Sequence, residues 1–344
     1  MHPGGVPADR ALARALTVDA AVRTTQRLVD ARGNQCPPRE LANQAVAIAS
    51  ATGFAVRVHE HSDLVREGMG GLLAVAAGSS EEPFLVELWR NADGTMPSEP
   101  PIGALALVGK GVTFDSGGLS LKSAESMVGM HTDKAGAATV LGALSSLASQ
   151  PTTHAVHAVL PLAENMPGAG ATRPGDVVTT LSGIGIEIVD TDFEGRVMLA
   201  DALAWASRAR PRAILDLATL TYQAVIALGP DIGALIARDP TLGRAVEAAA
   251  RRAGEPLWSL PWAPRYQDQL VSTAPGATLR NHPGTSTARA LTAALFLGEF
   301  VPDHIPWAHL DFAGPAAVGS GARQTSTGYG THLLHELLLG EALS

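Results

Sequence analysis

Three short segments carry the side chains best suited to chemistry. The first, GKGVTFDSGGLSLK, is a glycine-rich loop holding Lys110, Asp115 and Lys122. Its glycines permit unusual backbone angles and close approach to a bound group. A lysine buried beside acids and a cation can lose its proton and act as a ligand. The second segment places Asp133 after Met130, His131 and Thr132, just ahead of a helical stretch. The third sets Asp190, Asp192 and Glu194 at alternate positions, followed by Arg196. In an extended chain such acids point to one side. That crowding of like charge is costly without a cation. Hard oxygen ligands of this kind suit Mg²⁺, Mn²⁺ or Zn²⁺ in a hydrolytic site.

Taken singly, each segment has a plainer explanation. The loop also fits a surface turn with two solvated lysines. Asp133 fits a helix N-cap, and the acidic run fits a turn at a helix N-terminus. Other chemistries find less support. The loop lacks the GxxxxGK[ST] spacing of a phosphate cradle, and the glycines of 182–185 form only a weak nucleotide pattern. No HExxH or GxSxG motif occurs, and Cys36 stands alone beside two prolines. His131 and His309 read as structural, the latter buried in a strand. From acids and lysines alone, a two-metal phosphoesterase stays open.

The elements that must position these residues alternate between strand and helix. Helical spacing covers residues 9–31, 40–52, 135–148, 197–208, 241–253, 288–300 and 331–339. Apolar runs at 54–58, 84–89, 104–108, 155–162 and 213–217 read as strands, and 177–178 with 186–189 as a hairpin. This order predicts a three-layer α/β/α domain with a mixed central sheet. Residues 264–287, rich in Gly, Pro, Ser and Thr, are expected to form a long surface loop. Residues 1–18 are expected to be an N-terminal extension, loose or helical, ahead of a catalytic domain over 19–344.

The chain has 344 residues, 46% of them hydrophobic, enough for a large core. Thirty-three acidic residues against 25 basic give a net charge of −8, which argues against nucleic acid as the default partner. No signal sequence or membrane span is expected. With one cysteine and hence no intrachain disulfide, the expectation is a soluble, cytoplasmic protein.

Together the segments resemble the leucyl aminopeptidase family of metallopeptidases, also called cytosol aminopeptidases. GKGVTFDSGGLSLK is similar to one family signature, and TDFEGRVMLADAL resembles another, NTDAEGRLxLADAL. Similar segments follow in the family's order: GMGGLL at 68–73, ENMPGAGATRPGDVV at 164–178, LDLATLT at 215–221, then 291–301 and 307–314. The likeness spans roughly residues 20 to 340 and implies that the family's usual N-terminal domain is missing.

The resemblance implies a hydrolase that removes the first residue from peptides with a free N-terminus, using two divalent metal ions, Zn or Mn, with Mg or Co as alternatives. Lys110, Asp115, Asp133, Asp192 and Glu194 would be the ligands, with Asp115 and Glu194 bridging. Lys122 would polarise the carbonyl, and Arg196 would hold bicarbonate or a water network as general base. The pocket for the first residue would be lined by Met130, Thr219, Leu220, Tyr222, Ala313 and Ala316. Family members assemble as hexamers, which implies a homo-oligomer, and no nucleic acid or membrane partner is expected. Departures from the pattern lie close to these positions. Asp190 replaces Asn, Phe193 replaces Ala, Lys134 stands near Asp133, and Tyr222 replaces a Gly. They point mildly to an enzyme specialised for one precursor peptide in natural-product maturation, as in the bottromycin pathway. The alternatives are a broad housekeeping aminopeptidase and, in a different class, a catalytically weak binding or regulatory scaffold.

Overall fold

A computed structural model describes residues 8–148 and 150–340. In chain order the helices are α1 (Ala8–Asp30), α2 (Pro38–Thr52), α3 (His61–Glu67), α4 (Gly70–Ala76), α5 (Ala124–Met127), α6 (Ala135–Ser145), α7 (Glu194–Arg208), α8 (Tyr222–Leu228), α9 (Pro240–Ala253), α10 (Arg289–Gly298) and α11 (Thr331–Leu339). The strands used below are β1 (Ala55–His59), β2 (Phe84–Arg90), β3 (Leu105–Gly109), β4 (Gly111–Asp115), β5 (Val156–Asn165), β6 (Val177–Thr179), β7 (Gly185–Glu187), β8 (Ala213–Ala218), β9 (Gly233–Ala237), β10 (Leu257–Leu260), β11 (Leu279–Arg280) and β12 (Trp307–Asp311).

Local chemistry sets many of the boundaries. Pro38 occupies the first turn of α2, where its missing N–H costs nothing, and left-handed Gly53 closes that helix. Asp239 caps α9 by accepting from Leu242 N, and Gly254 ends it.

The large sheet runs β1-β2-β5-β3-β8-β12-β9-β10, with β4 paired to β5 beyond the end of β3. The central strands β5, β3, β8 and β12 are parallel, whereas β1–β2, β2–β5 and β12–β9 are antiparallel. Both faces of the central strands are covered, so these strands are mostly apolar, as in β3. Leu105 and Leu107 of β3 face α2, α6, α9 and α11 through Leu41, Leu141, Val246 and Leu334. Ala106 and Val108 face α4, α7 and α10 through Leu72, Leu199 and Leu295. The three-layer mixed α/β architecture is therefore present.

Residues 1–7 of the expected extension lie outside the described residues, and from Ala8 the chain is helical. One expectation needs correction: the stretch 264–287 is not simply a surface loop. It contains a 3-10 helix (Pro264–Leu270) and β11, which pairs in parallel with β7, and Asn281 is fully buried. Polar residues there satisfy neighbouring backbone, a use that leaves no hydrophobic period to read. Among the described residues, no helix is long and apolar enough to cross a membrane.

One polar cluster away from the cleft pins the sheet. Glu87 on β2 is buried between His59 of β1 at 2.7 Å and His157 of β5 at 2.9 Å. Burial pushes its carboxyl up, but the hydrogen bonds to His157 and His59 outweigh this and hold it well below the usual range. Glu87→Ala leaves two buried imidazoles without their acceptor and is expected to cost about 3 kcal/mol or more of stability. Chemical denaturation checks this: an unchanged midpoint would mean that the triad contributes nothing.

Candidate metal centre

The carboxyl ends of the parallel strands converge on one open cleft. This is the usual place for a site in an open α/β sheet. Lys110 lies between β3 and β4, and Asp115 ends β4. Asp133 sits in a 3-10 turn (Met130–Lys134) leading into α6. Asp192 lies in a turn, and Glu194 opens α7, where the helix dipole favours an acid. All five line the cleft with Lys122 and Arg196.

Two glycines make this convergence possible. A Cβ on Gly136 would lie 2.3 Å from Leu217 O, so α6 approaches β8 only without one. A Cβ on Gly195 would lie 2.7 Å from Lys110 Cε, so that residue leaves room for the lysine.

One oxygen each from Asp115, Asp192 and Glu194 can be chosen so that all three lie within 4.8 Å of one another. The lysines face this cluster. Lys110 Nζ is 2.6 Å from Asp133 and 2.9 Å from Glu194, and donates to Thr219 O at 3.1 Å. Lys122 Nζ is 2.8 Å from Asp115 and also pairs with Asp192.

Burial and the neighbouring acids raise the carboxyls. Asp133 is pushed up to about 7 by burial and then by Glu194 and Asp115, against the pull of Lys110. Asp192 is pushed up to about 7 by burial, Asp115 and Glu194, with Lys122 opposing. Glu194 is raised for the same reasons. Burial works against the charge on both lysines, yet the facing carboxylates outweigh it and hold them above the ordinary lysine value. These hard, crowded oxygens fit a divalent cation.

The third segment departs from the expected geometry. Its acids do not share a side of an extended chain, because α7 begins at Glu194 rather than at Val197. Asp190 turns back to accept from Asp192 N at 2.9 Å, and its place in the cluster is taken by Asp115 from another strand. Alternation misled because the chain turns at 191–192.

Supporting residues were less visible from sequence. Asn165, at the end of β5, donates to Asp115 at 2.8 Å and to Thr191 O at 3.1 Å. Thr219 donates to Asp133 at 2.6 Å. Asn281 accepts from Val189 N at 2.8 Å and donates to Asp190 O at 2.6 Å, pinning the turn. A polar residue ending a mostly apolar strand, as at Asn165, is a signal that could have been read.

Arg196 is buried, with its guanidinium 4.7 Å from the Phe193 ring centroid and one terminal nitrogen, Nη1, lacking a hydrogen-bond partner among the described residues. Burial pulls it down to about 10. Met130, Thr219, Leu220, Tyr222 and Ala313 line the cleft, and Ala316 is 4% exposed and belongs to the core cluster. Lys134 also turns away from the acids. It is buried and donates to Ala31 O at 2.7 Å and His131 O at 2.6 Å.

Comparison with known proteins follows the same lines. A "Probable cytosol aminopeptidase" of Syntrophotalea carbinolica is 44% identical over 331 residues, covering 95% of this chain and 65% of that protein. One of Chlorobium luteolum is 39% identical over 334 residues, covering 96% and 64%. The chain thus spans a little under two-thirds of the length of these relatives. Among solved structures, "Bottromycin maturation enzyme BotP" superposes with a TM-score of 0.89 at 40% identity, covering 99% of this chain and 73% of that one. The same enzyme in complex with Mn gives the same score and identity over 98% of this chain. The family model for the catalytic domain of the cytosol aminopeptidase family matches residues 23–335, and the chain belongs to that family.

Proposed function

We propose that this protein is a metal-dependent aminopeptidase that hydrolyses the first residue from peptides. The observation that carries this reading is the cluster of Asp115, Asp192 and Glu194 in an open cleft, flanked by two lysines. Lys110, Asp115, Asp133, Asp192 and Glu194 would hold two divalent ions, with manganese favoured by the Mn-bound relative and zinc, magnesium or cobalt as alternatives. When bound, such ions lower the pKa of water and polarise a carbonyl, supplying a nucleophile at neutral pH.

The chain's own residues supply the rest. Lys122 reaches into the cleft as an ammonium and opposes negative charge developing on the carbonyl oxygen. Arg196 offers its unpartnered Nη1 to bicarbonate or to ordered water, which would accept a proton. The acids provide the negative field that selects a free α-amine. A test uses leucyl anilide and its N-acetyl form with metal added. Turnover of the first alone, abolished by chelation, is expected; equal turnover of both would sink the reading.

Within this class we favour an enzyme specialised for one precursor peptide, supported by the likeness to BotP. The broad housekeeping alternative is supported by the relatives named as cytosol aminopeptidases. Cytoplasmic location and a hexamer belong to the same reading. Tyr222, 70% exposed at the start of α8, lines the cleft. Tyr222→Gly is expected to widen the accepted first residues, with turnover of bulky aminoacyl anilides rising about tenfold relative to alanyl anilide. An unchanged preference across the panel would remove Tyr222 as a selector.

A further inference from the structure

The lysines of the cleft are already neutralised. Lys110 faces Asp133 and Glu194, and Lys122 faces Asp115 and Asp192. Arg289 is different. It opens α10, lines the same cleft and makes no ion pair among the described residues. Its Nε donates to Thr285 O at 2.7 Å, and this anchors the guanidinium while its terminal amino groups have no hydrogen-bond partner among the described residues. The Phe193 ring lies 5.6 Å from it, and the edge of His282 packs on that ring at 4.5 Å. Arg289 follows Ala288, whose φ of +55° is uncommon for a residue with a Cβ and is maintained only by its surroundings. The result is a pre-positioned, half-buried cation with open donors.

We propose that Arg289, seated on Phe193, selects substrates carrying a carboxylate one residue beyond the scissile bond. This rests on the aminopeptidase reading. The first residue's amine and carbonyl are then placed at the acids, and its side chain against Met130, Leu220 and Ala313. The rest of the lining also holds Thr132, Gln223, Val225 and Gln324, but Phe193 lies between Asp192 and Glu194 in the chain and Arg289 sits over its ring, so the second residue is placed against this pair. A planar guanidinium with free donors recognises a carboxylate by paired, charge-assisted hydrogen bonds. The carboxylate can be the C-terminus of a dipeptide or the side chain of an Asp or Glu in a longer peptide.

Two matched pairs separate those sources: Leu-Gly against Leu-Gly-amide, and Leu-Asp-amide against Leu-Asn-amide. In the unaltered protein, kcat/KM is expected to favour the charged member of at least one pair by about tenfold. Arg289→Gln should collapse that ratio to near one, and Arg289→Lys should restore part of it. Ratios near one for both pairs in the unaltered protein would overturn the proposal, as would a ratio that survives Arg289→Gln. Turnover of the neutral members shows that the aminopeptidase reading stands whichever way the ratios fall. Leucyl anilide with metal is the control: its hydrolysis with none of the four peptides cut would overturn this proposal alone.

Discussion

Replacing Lys122 by Met lowers kcat at saturating metal by about 10²- to 10³-fold, the loss typical when one preorganised donor to a developing oxyanion is removed. The side chain is 14% exposed and reaches Asp115 and Asp192. Burial works against its charge, but with no cation bound Asp115, Glu194 and Asp192 outweigh this and raise its pKa above the ordinary lysine value. The charge that those carboxylates maintain is the charge the reaction needs beside the carbonyl oxygen. A competing role is simple neutralisation, with Lys122 serving only to balance the acids. The two roles predict different losses. A balancing lysine, once removed, changes metal affinity and leaves kcat intact when metal is in excess. A catalytic one lowers kcat with metal content unchanged. Steady-state kinetics beside metal analysis on Lys122→Met decides between them, and undiminished kcat at full loading would end the catalytic assignment.

The layered fold was legible because its central strands are buried on both faces and so read as mostly apolar runs, as at Leu105–Gly109. Short elements were missed where the signal is local and weak. Gly70–Ala76, with two leading glycines, was assigned no element from its spacing, yet it is helical and packs against α7. The site residues were legible as three clusters, and their grouping into one site was implied only by the family resemblance, not by their spacing. Asp190 and Asp192 look equivalent in the sequence, and only the turn at 191–192 sends one into the cleft and the other back to the chain. Lys134 looked poised beside Asp133, yet buried carbonyls of Ala31 and His131 claim it. In each case the deciding partner lies far along the chain or on the backbone, where side-chain pattern says nothing.

Metal uptake is expected to release protons and to weaken as pH falls. The sign follows from the acids. With no cation present, Asp133 and Asp192 are both pushed up to about 7, so at pH 6 a large share of that pair is protonated. A protonated carboxyl is a poor ligand, and Lys110 as an ammonium has no lone pair to offer at all. Each proton that must leave costs about tenfold in apparent affinity per pH unit below the pKa of the group that holds it. Lys110 stays protonated on both sides of neutrality, so its proton adds to the slope throughout, whereas the carboxyls add theirs only below about pH 7. The plot of affinity against pH should therefore steepen as it passes down through 7. Calorimetric titration with Mn²⁺ at several pH values, in buffers of different ionisation heat, measures both the slope and the protons released. Glu194→Gln removes a buried oxygen within reach of Asp115 and Asp192 and should cut affinity at every pH. Affinity independent of pH, with no proton release, would mean that these carboxyls and Lys110 do not hold the ion.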